Sequence, residues 1–545
     1  MKTLRLVTML AVLAGAAVAQ AQSVEMAALA PLDAKALIEV NDAAGLRQTL
    51  MESKFWAALE GTQAFKDWRA SDKYIQMRQR VDDLLKNLAM DEATALRTYL
   101  GGRMAVVLLA SADEKKPDGV LLLEVAGKTP TDSQANAQQL IEAVGAVPAG
   151  RHGDAAIWEV RGPERTDRIA ISGGMLVMSN ATSDALERVL DTKPGGHPSL
   201  SESQDFRIAT DGLLADWRIR AYAAEVKPRK TPGAVAMAPQ GKGHLHFEWR
   251  MLGGEPDMLA INEPTVLVSP SALPASTVAA VATAFHPAAI WEKVKDKLAA
   301  DADAGAQKLQ RAEMFIRGWF PGKTMTDITG AFGPEAALAL QKAEAGGAPG
   351  LVGLVKLTGT GKAVAQAFKD GLAAKAMILA ALRDPEKTDG PRLNVREDTV
   401  DATPVLIVEA PGLVEKILGD WAKDVALTVA VTDNWLVVGT SVSGVKASVR
   451  TATGAETQAT LAASLEAQGE KVPAGAVTRW GTVRPALGSG LVLSLAEKFA
   501  GKDRIEQANK LTNLAELLQL IDRVTWERTD KPDVVTGKAD LQAVE

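Results

Sequence analysis

MLVMSNATSDALERVL (Met175–Leu190) and, 260 positions later, WLVVGTSVSGVKASVR (Trp435–Arg450) write one phrase twice without a gap. Each copy opens on an apolar run suited to a buried strand, passes a small polar turn, and continues with apolar residues at helical spacing. A strand feeding an amphipathic helix is a building block of a sheet with helices packed on it. Its recurrence predicts two like units in one chain.

The flanking segments keep the same order. Gly102–Leu109 lines up with Gly333–Leu340 and, at an unchanged offset, Gly119–Leu123 with Gly350–Leu354. Each pair reads as a hairpin of two apolar strands. A helix follows in each half, over Ser133–Gly145 and Lys362–Ala376. Extra material around Ala380–Ala402 then widens the offset, and the strands Ala155–Val160 and Pro404–Ala410 come next. The halves also begin alike, on APLDAKALIEV (Ala30–Val40) and LPASTVAAVAT (Leu273–Thr283), and end alike, on His246–Arg250 and Val524–Thr529. Hairpin-like runs punctuated by single helices predict an α+β fold, mostly antiparallel sheet with helices packed on it. The expected organisation is a tandem duplication, with modules at 23–268 and 269–545; the period is far too long for a solenoid.

The chain opens MKTLRLVTMLAVLAGAAVAQAQ, with basic Lys2 and Arg5, an apolar stretch from Leu6 to Ala19, and small residues at a cleavage spacing. This predicts a secretory signal peptide over residues 1–21 and a periplasmic or extracellular mature protein. The chain has no cysteine. Disulfides, thiolate nucleophiles, thiolate metal sites and a lipid-bearing cysteine are thereby excluded. No later stretch reaches the length of a spanning helix, Ala272–Phe285 being the nearest, so a soluble mature chain is expected. The net charge of −6 becomes −8 without Lys2 and Arg5, and acidic and basic residues are interspersed. Nucleic acid is not the expected partner, because phosphate binding needs clustered Lys and Arg. Eleven tryptophans against three tyrosines are read chiefly as core.

The opening LPAST (Leu273–Thr277), ITGAFGPEAALAL (Ile328–Leu340) and SLSESQDF (Ser199–Phe206) give the chain a resemblance. It resembles a family of exported bacterial proteins known only as a domain of unknown function. The first half departs from that pattern, with APLDA at its opening and YLGGRMAVVL at the turn. The resemblance implies no activity and carries no catalytic residue.

Chemistry-bearing motifs are few. LVKLTGTGKAVAQAF (Leu354–Phe368) imitates a phosphate-binding loop, but Lys356 stands where its first glycine belongs and Ala363 follows Lys362. In VAGKTPTD (Val125–Asp132), Leu122 holds that glycine's place, and Pro130, Thr131 and Asp132 read as a turn and helix cap. No Gly-x-Ser-x-Gly elbow and no His-Glu-x-x-His occurs. His152, His197 and His286 stand singly beside Gly or Pro, and the carboxylates Asp301, Asp303, Glu397 and Asp398 read as surface charge. One cluster stands out, GHLHFEWRM (Gly243–Met251). On a strand, His244, His246, Glu248 and Arg250 share one face, and Leu245, Phe247, Trp249 and Met251 the other. His244, His246 and Glu248 are therefore the candidate metal ligands, suited to zinc or iron. The alternative is a polar strand face that happens to carry histidine.

The expected function is that of an exported, soluble, non-catalytic binding or scaffold protein of the bacterial cell envelope, with no cofactor. Its partner would be an envelope protein or a small ligand. Two other readings are a carrier of lipid or another apolar molecule, and an exported hydrolase dependent on a metal at His244, His246 and Glu248.

Overall fold

The computed structural model describes residues 25–111, 117–162, 166–181, 183–192, 196–226, 230–241, 243–253, 263–300, 305–342, 349–381, 393–410, 425–456, 459–470, 472–499, 505–531 and 533–544. The expected signal peptide, Asp301 and Asp303 lie outside them. The chain divides into two compact units, Met1–Glu255 with Pro532–Glu545, and Pro256–Lys531. The last segment, expected in the second module, thus belongs to the first unit.

The first unit is an antiparallel sheet. Its strands are β1 (Ala36–Val40), β2 (Met104–Leu109), β3 (Asp118–Glu124), β4 (Val147–His152), β5 (Ala155–Arg161), β6 (Thr166–Ser172), β7 (Met175–Asn180), β8 (Ile219–Val226), β9 (Thr231–Pro239) and β10 (His244–Leu252). The carboxyl-terminal β20 (Val534–Ala543) joins them. Pairing runs β4-β5-β6-β7-β3-β2-β1-β8-β9-β10-β20, antiparallel at every step. Five helices lie between β1 and β2: α1 (Ala43–Met51), α2 (Lys54–Gly61), α3 (Gln63–Arg69), α4 (Asp72–Leu88) and α5 (Glu92–Leu100). Asp42, Ser53, Thr62, Ser71 and Asp91 start them, each side chain accepting a backbone N–H of the first turn. α6 (Pro130–Ala143) leads from β3 to β4, and α7 (Ala185–Asp191) and α8 (Gln204–Thr210) lead from β7 to β8.

The second unit contains β11 (Thr277–Ala284), β12 (Phe332–Gln341), β13 (Gly350–Leu357), β14 (Asn394–Val400), β15 (Thr403–Glu409), β16 (Val425–Val431), β17 (Trp435–Ser441), β18 (Arg479–Val483) and β19 (Ile521–Asp530). They pair in the order β14-β15-β16-β17-β13-β12-β11-β18-β19, again antiparallel throughout. Strand for strand this is the order of the first unit from β4 to β9. The repeated phrase occupies one place in both: β7 lies between β3 and β6, and β17 between β13 and β16. The helices are α9 (Pro287–Ala299), α10 (Gly305–Arg317) and α11 (Met325–Ala331) between β11 and β12, then α12 (Gly361–Ala381), α13 (Val442–Ala452), α14 (Leu461–Glu466), α15 (Pro485–Phe499) and α16 (Ile505–Leu518).

Two expectations shift. Part of the extra material around Ala380–Ala402 is strand β14, which holds in its sheet the place β4 holds in the other. Both are edge strands with largely exposed faces, so neither shows apolar alternation. The matched endings also separate: Val524–Thr529 lies on β19 beside β18, whereas His246–Arg250 lies on β10, two strands from β8.

Strand parity decides where the cores sit, because successive side chains face opposite sides of a sheet. In the first unit, Leu37, Val107, Val120 and Tyr222 share the face packed on Leu186 and Val189 of α7 and Phe206 of α8. On the other face, Met104, Leu123 and Leu176 are covered by Leu88, Leu96, Leu100 and Ile141. In the second unit, Trp435, Val437, Leu354 and Trp480 pack on Val445 and Val449 of α13 and Leu461 of α14. Leu436, Val429 and Leu406, on the opposite side, lie under Leu372 of α12.

Burial of apolar side chains at about 1.5–3 kcal/mol each is the main favourable term for these cysteine-free units. One buried charge adds a tie. Glu335 of β12 is fully buried, and its two oxygens accept the backbone N–H groups of Val268 and Ser269 at 2.9 and 2.8 Å. Those donors open a short 3-10 turn that would otherwise leave them unpaired. Trp435 is 4% exposed and belongs to the core packed on α13 and α14. Trp435→Ala should cost about 3–5 kcal/mol in urea unfolding; a loss below about 1 kcal/mol would contradict the burial described.

Candidate functional site

The histidine-bearing strand β10 is built as its alternation predicts. Leu245, Phe247, Trp249 and Met251 share one face, and His244, His246, Glu248 and Arg250 the other. The second group stands opposite Ala238, Ala236 and Ala234 of β9 and Gln542, Asp540, Lys538 and Thr536 of β20. The structure brings His244, His246 and Glu248 together and adds a carboxylate from 294 residues away in sequence. Asp540 Oδ1 accepts from Nδ1 of His246 at 2.7 Å and from Nε2 of His244 at 3.0 Å. His246 Nε2 lies 3.6 Å from Glu248 Oε1, and His246 is buried.

This geometry bears directly on metal chemistry. One nitrogen of each ring is spent as a donor to Asp540, leaving Nδ1 of His244 and Nε2 of His246 for any ion. Among the described residues, no group of three or more His, Asp or Glu side chains is placed to hold one. What the arrangement does is fasten the carboxyl-terminal strand to β10, because hydrogen bonds to a charged acceptor are the stronger kind. Asp540 carried no signal in the sequence, since its strand, VVTGKADLQA (Val534–Ala543), mixes polar and apolar residues without a motif.

A second polar cluster escaped the sequence reading altogether. Glu39 of β1 and Arg220 of β8 are direct cross-strand partners. Glu39 is 2% exposed, and Arg220 Nε donates to its Oε2 at 2.7 Å. Arg220 also donates to Glu25 at 3.0 Å and lies over the rings of Trp217 and Phe206. Glu25 and Phe206 continue into an open, polar cleft of about 620 Å³ lined also by Ser201, Arg207, Thr210 and Asp211. Burial pushes the Glu39 carboxyl above its ordinary value, and the charge of Arg220, shared with Glu25, offsets this only in part.

The remaining motifs resolve into structure. Lys362 of the loop-like Leu354–Phe368 pairs with Asp433 at 2.6 Å on the surface. Thr129 and Asp132 form a reciprocal cap with Pro130 in the first turn of α6. His152, expected alone, meets Asp191 at 2.7 Å. Glu397 and Asp398 on β14 pair with Lys369 and Lys446.

Two measurements test these assignments. Metal analysis of the purified chain should return the same content for wild type and His244→Ala; stoichiometric zinc or iron lost on substitution would establish the ligand set His244, His246 and Glu248 instead. For Glu39, a raised folded-state value means the folded chain holds the proton longer than the unfolded one. The associated stability is present at low pH and falls as pH rises from the ordinary value of about 4.5 through the folded value. Glu39→Gln should therefore flatten the decline in unfolding free energy across that window, and equal slopes would contradict the assignment.

No protein-family model matches the chain, and neither a curated protein nor a solved structure matches it.

Proposed function

We propose that the protein is an exported, non-catalytic binding or scaffold protein of the bacterial cell envelope, built from two units that descend from one duplicated module. The common strand order of the two sheets supports the duplication. The leader-like opening of the chain supports export. Among the described residues, no helix is long and apolar enough to cross a membrane.

One observation carries the binding role: each sheet has apolar side chains exposed on the face that its helices cover only in part. In the second unit, Val281 pairs directly with Leu338, and Leu351 and Val483 lie on the same face by register. These four are 40–51% exposed. In the first unit, Ile38 and Val235 flank Ala221 on the corresponding face and are also exposed. Soluble surfaces rarely gather large apolar side chains without a partner. An envelope protein is the partner proposed. A lipid or other apolar small molecule is the second reading, favoured by the absence of charge at these four positions of the second unit.

The test is recovery of the tagged chain and of its Leu338→Glu, Leu351→Glu double variant from the host envelope without detergent. A defined envelope protein should accompany the wild type and be lost from the variant at unchanged thermal midpoint. Extractable lipid lost in its place would shift the reading to a carrier. Identical recoveries from both chains would refute a binding role for this face.

A further inference from the structure

The second unit exposes another apolar surface, on its helices. Within and after α10, Ile316 and Phe320 turn inward and pack with Ile328, Ala331 and Val364. Their neighbours Met314 and Phe315 turn outward, 60% and 71% exposed. The Phe315 ring stands edge-on to Trp319 with centroids 6.5 Å apart, and Lys375 Nζ of α12 lies 3.6 Å from the centroid of Trp319.

α12 is held closely at this corner. A β-carbon on Gly371 would meet the Trp319 carbonyl oxygen at 2.8 Å and Pro321 at 2.9 Å, so only glycine permits the approach. Ile378 lies seven residues beyond Gly371 and three beyond Lys375, so it prolongs the same side of the helix. Met377, Ile378 and Leu379 are 55%, 56% and 62% exposed. A lone exposed apolar residue is ordinary on a soluble surface; five on two helices packed through Trp319 and Lys375 are not.

The surrounding charge indicates what covers them. Between Gly305 and Lys323 the chain carries Lys308, Arg311, Arg317 and Lys323 against a single carboxylate, Glu313, and Lys375 adds another cation. This segment is basic within a chain of net charge −6. An anionic bilayer offers both complements at once, hydrocarbon for the apolar tips and phosphate for the cations around them. Trp319, apolar in body and bearing a cation on its face, suits the boundary between the two. We propose that the α10–α12 corner docks on an anionic membrane surface. This helical surface shares no residue with the exposed sheet faces around Leu338 and Ile38.

The absence of cysteine allows a local test on the full chain. Phe315→Cys and Ile378→Cys are each labelled with an environment-sensitive fluorophore, and Gln134→Cys, exposed on α6, serves as control. Vesicles of phosphatidylcholine with phosphatidylglycerol should shift emission to the blue and raise it several-fold at 315 and 378, not at 134. Phosphatidylcholine alone should give a far smaller response, and about 1 M salt should suppress the anionic one. Adding Arg311→Glu and Arg317→Glu to the labelled chain should weaken vesicle affinity by about tenfold or more. No response at 315 and 378 would overturn the proposal and leave the corner to a protein partner. An equal response at 134, which is what binding through another part of the chain would give, would overturn it as well.

Discussion

A β-strand has two faces, and each unit of this protein holds more sheet face than its helices cover. Among the described residues the pairings are antiparallel at every step, across eleven strands in one unit and nine in the other. Helices α7 and α8, or α13 and α14, pack on one side, and α4–α6 or α12 reach only part of the other. The remainder of that second face stays apolar and partly exposed. Stability comes from the covered areas; the proposed binding role concerns the uncovered ones. Both follow from one geometric fact, that parity sends alternate residues of every strand to opposite sides.

Three carboxylates, two of them buried and one half-buried, tie segments distant in sequence. Glu335 holds the turn at Val268–Ser269 against β12 through two backbone donors. Glu39 and Arg220 join β1 to β8, the pairing that links the amino-terminal strand to the later part of its unit. Asp540 joins the last strand to two histidines on β10. Removing one member of such a pair leaves its partner desolvated and unmatched, which costs more than the pair itself contributes. Such pairs favour one register over its neighbours.

Much of the architecture was legible because apolar periodicity survives where a strand or helix is buried. Met175–Leu190 and Trp435–Arg450 became β7 with α7 and β17 with α13, at matching places in their sheets. The hairpins β2–β3 and β12–β13 followed from the same signal. Strands β4 and β14 did not, since an edge strand in water has no need of alternation. The likeness of His246–Arg250 to Val524–Thr529 misled for a related reason: a tryptophan between charged residues suits any half-covered strand. Of the histidine cluster, the shared face of His244, His246 and Glu248 was readable from period two alone, whereas its carboxylate partner was not.

The sequence by itself determined the types of the buried repeated elements, the alternation of faces on β10, the lack of thiol chemistry and the antiparallel α+β class. These depend on residues near one another in the chain, or on composition. Only the tertiary structure decided which strands neighbour which, that the final segment joins the first unit, that Asp540 occupies a nitrogen of each imidazole, and which apolar residues remain uncovered. Such outcomes depend on contacts between segments hundreds of residues apart, and a single sequence records those contacts only where a periodic pattern or a charged pair happens to mark both sides.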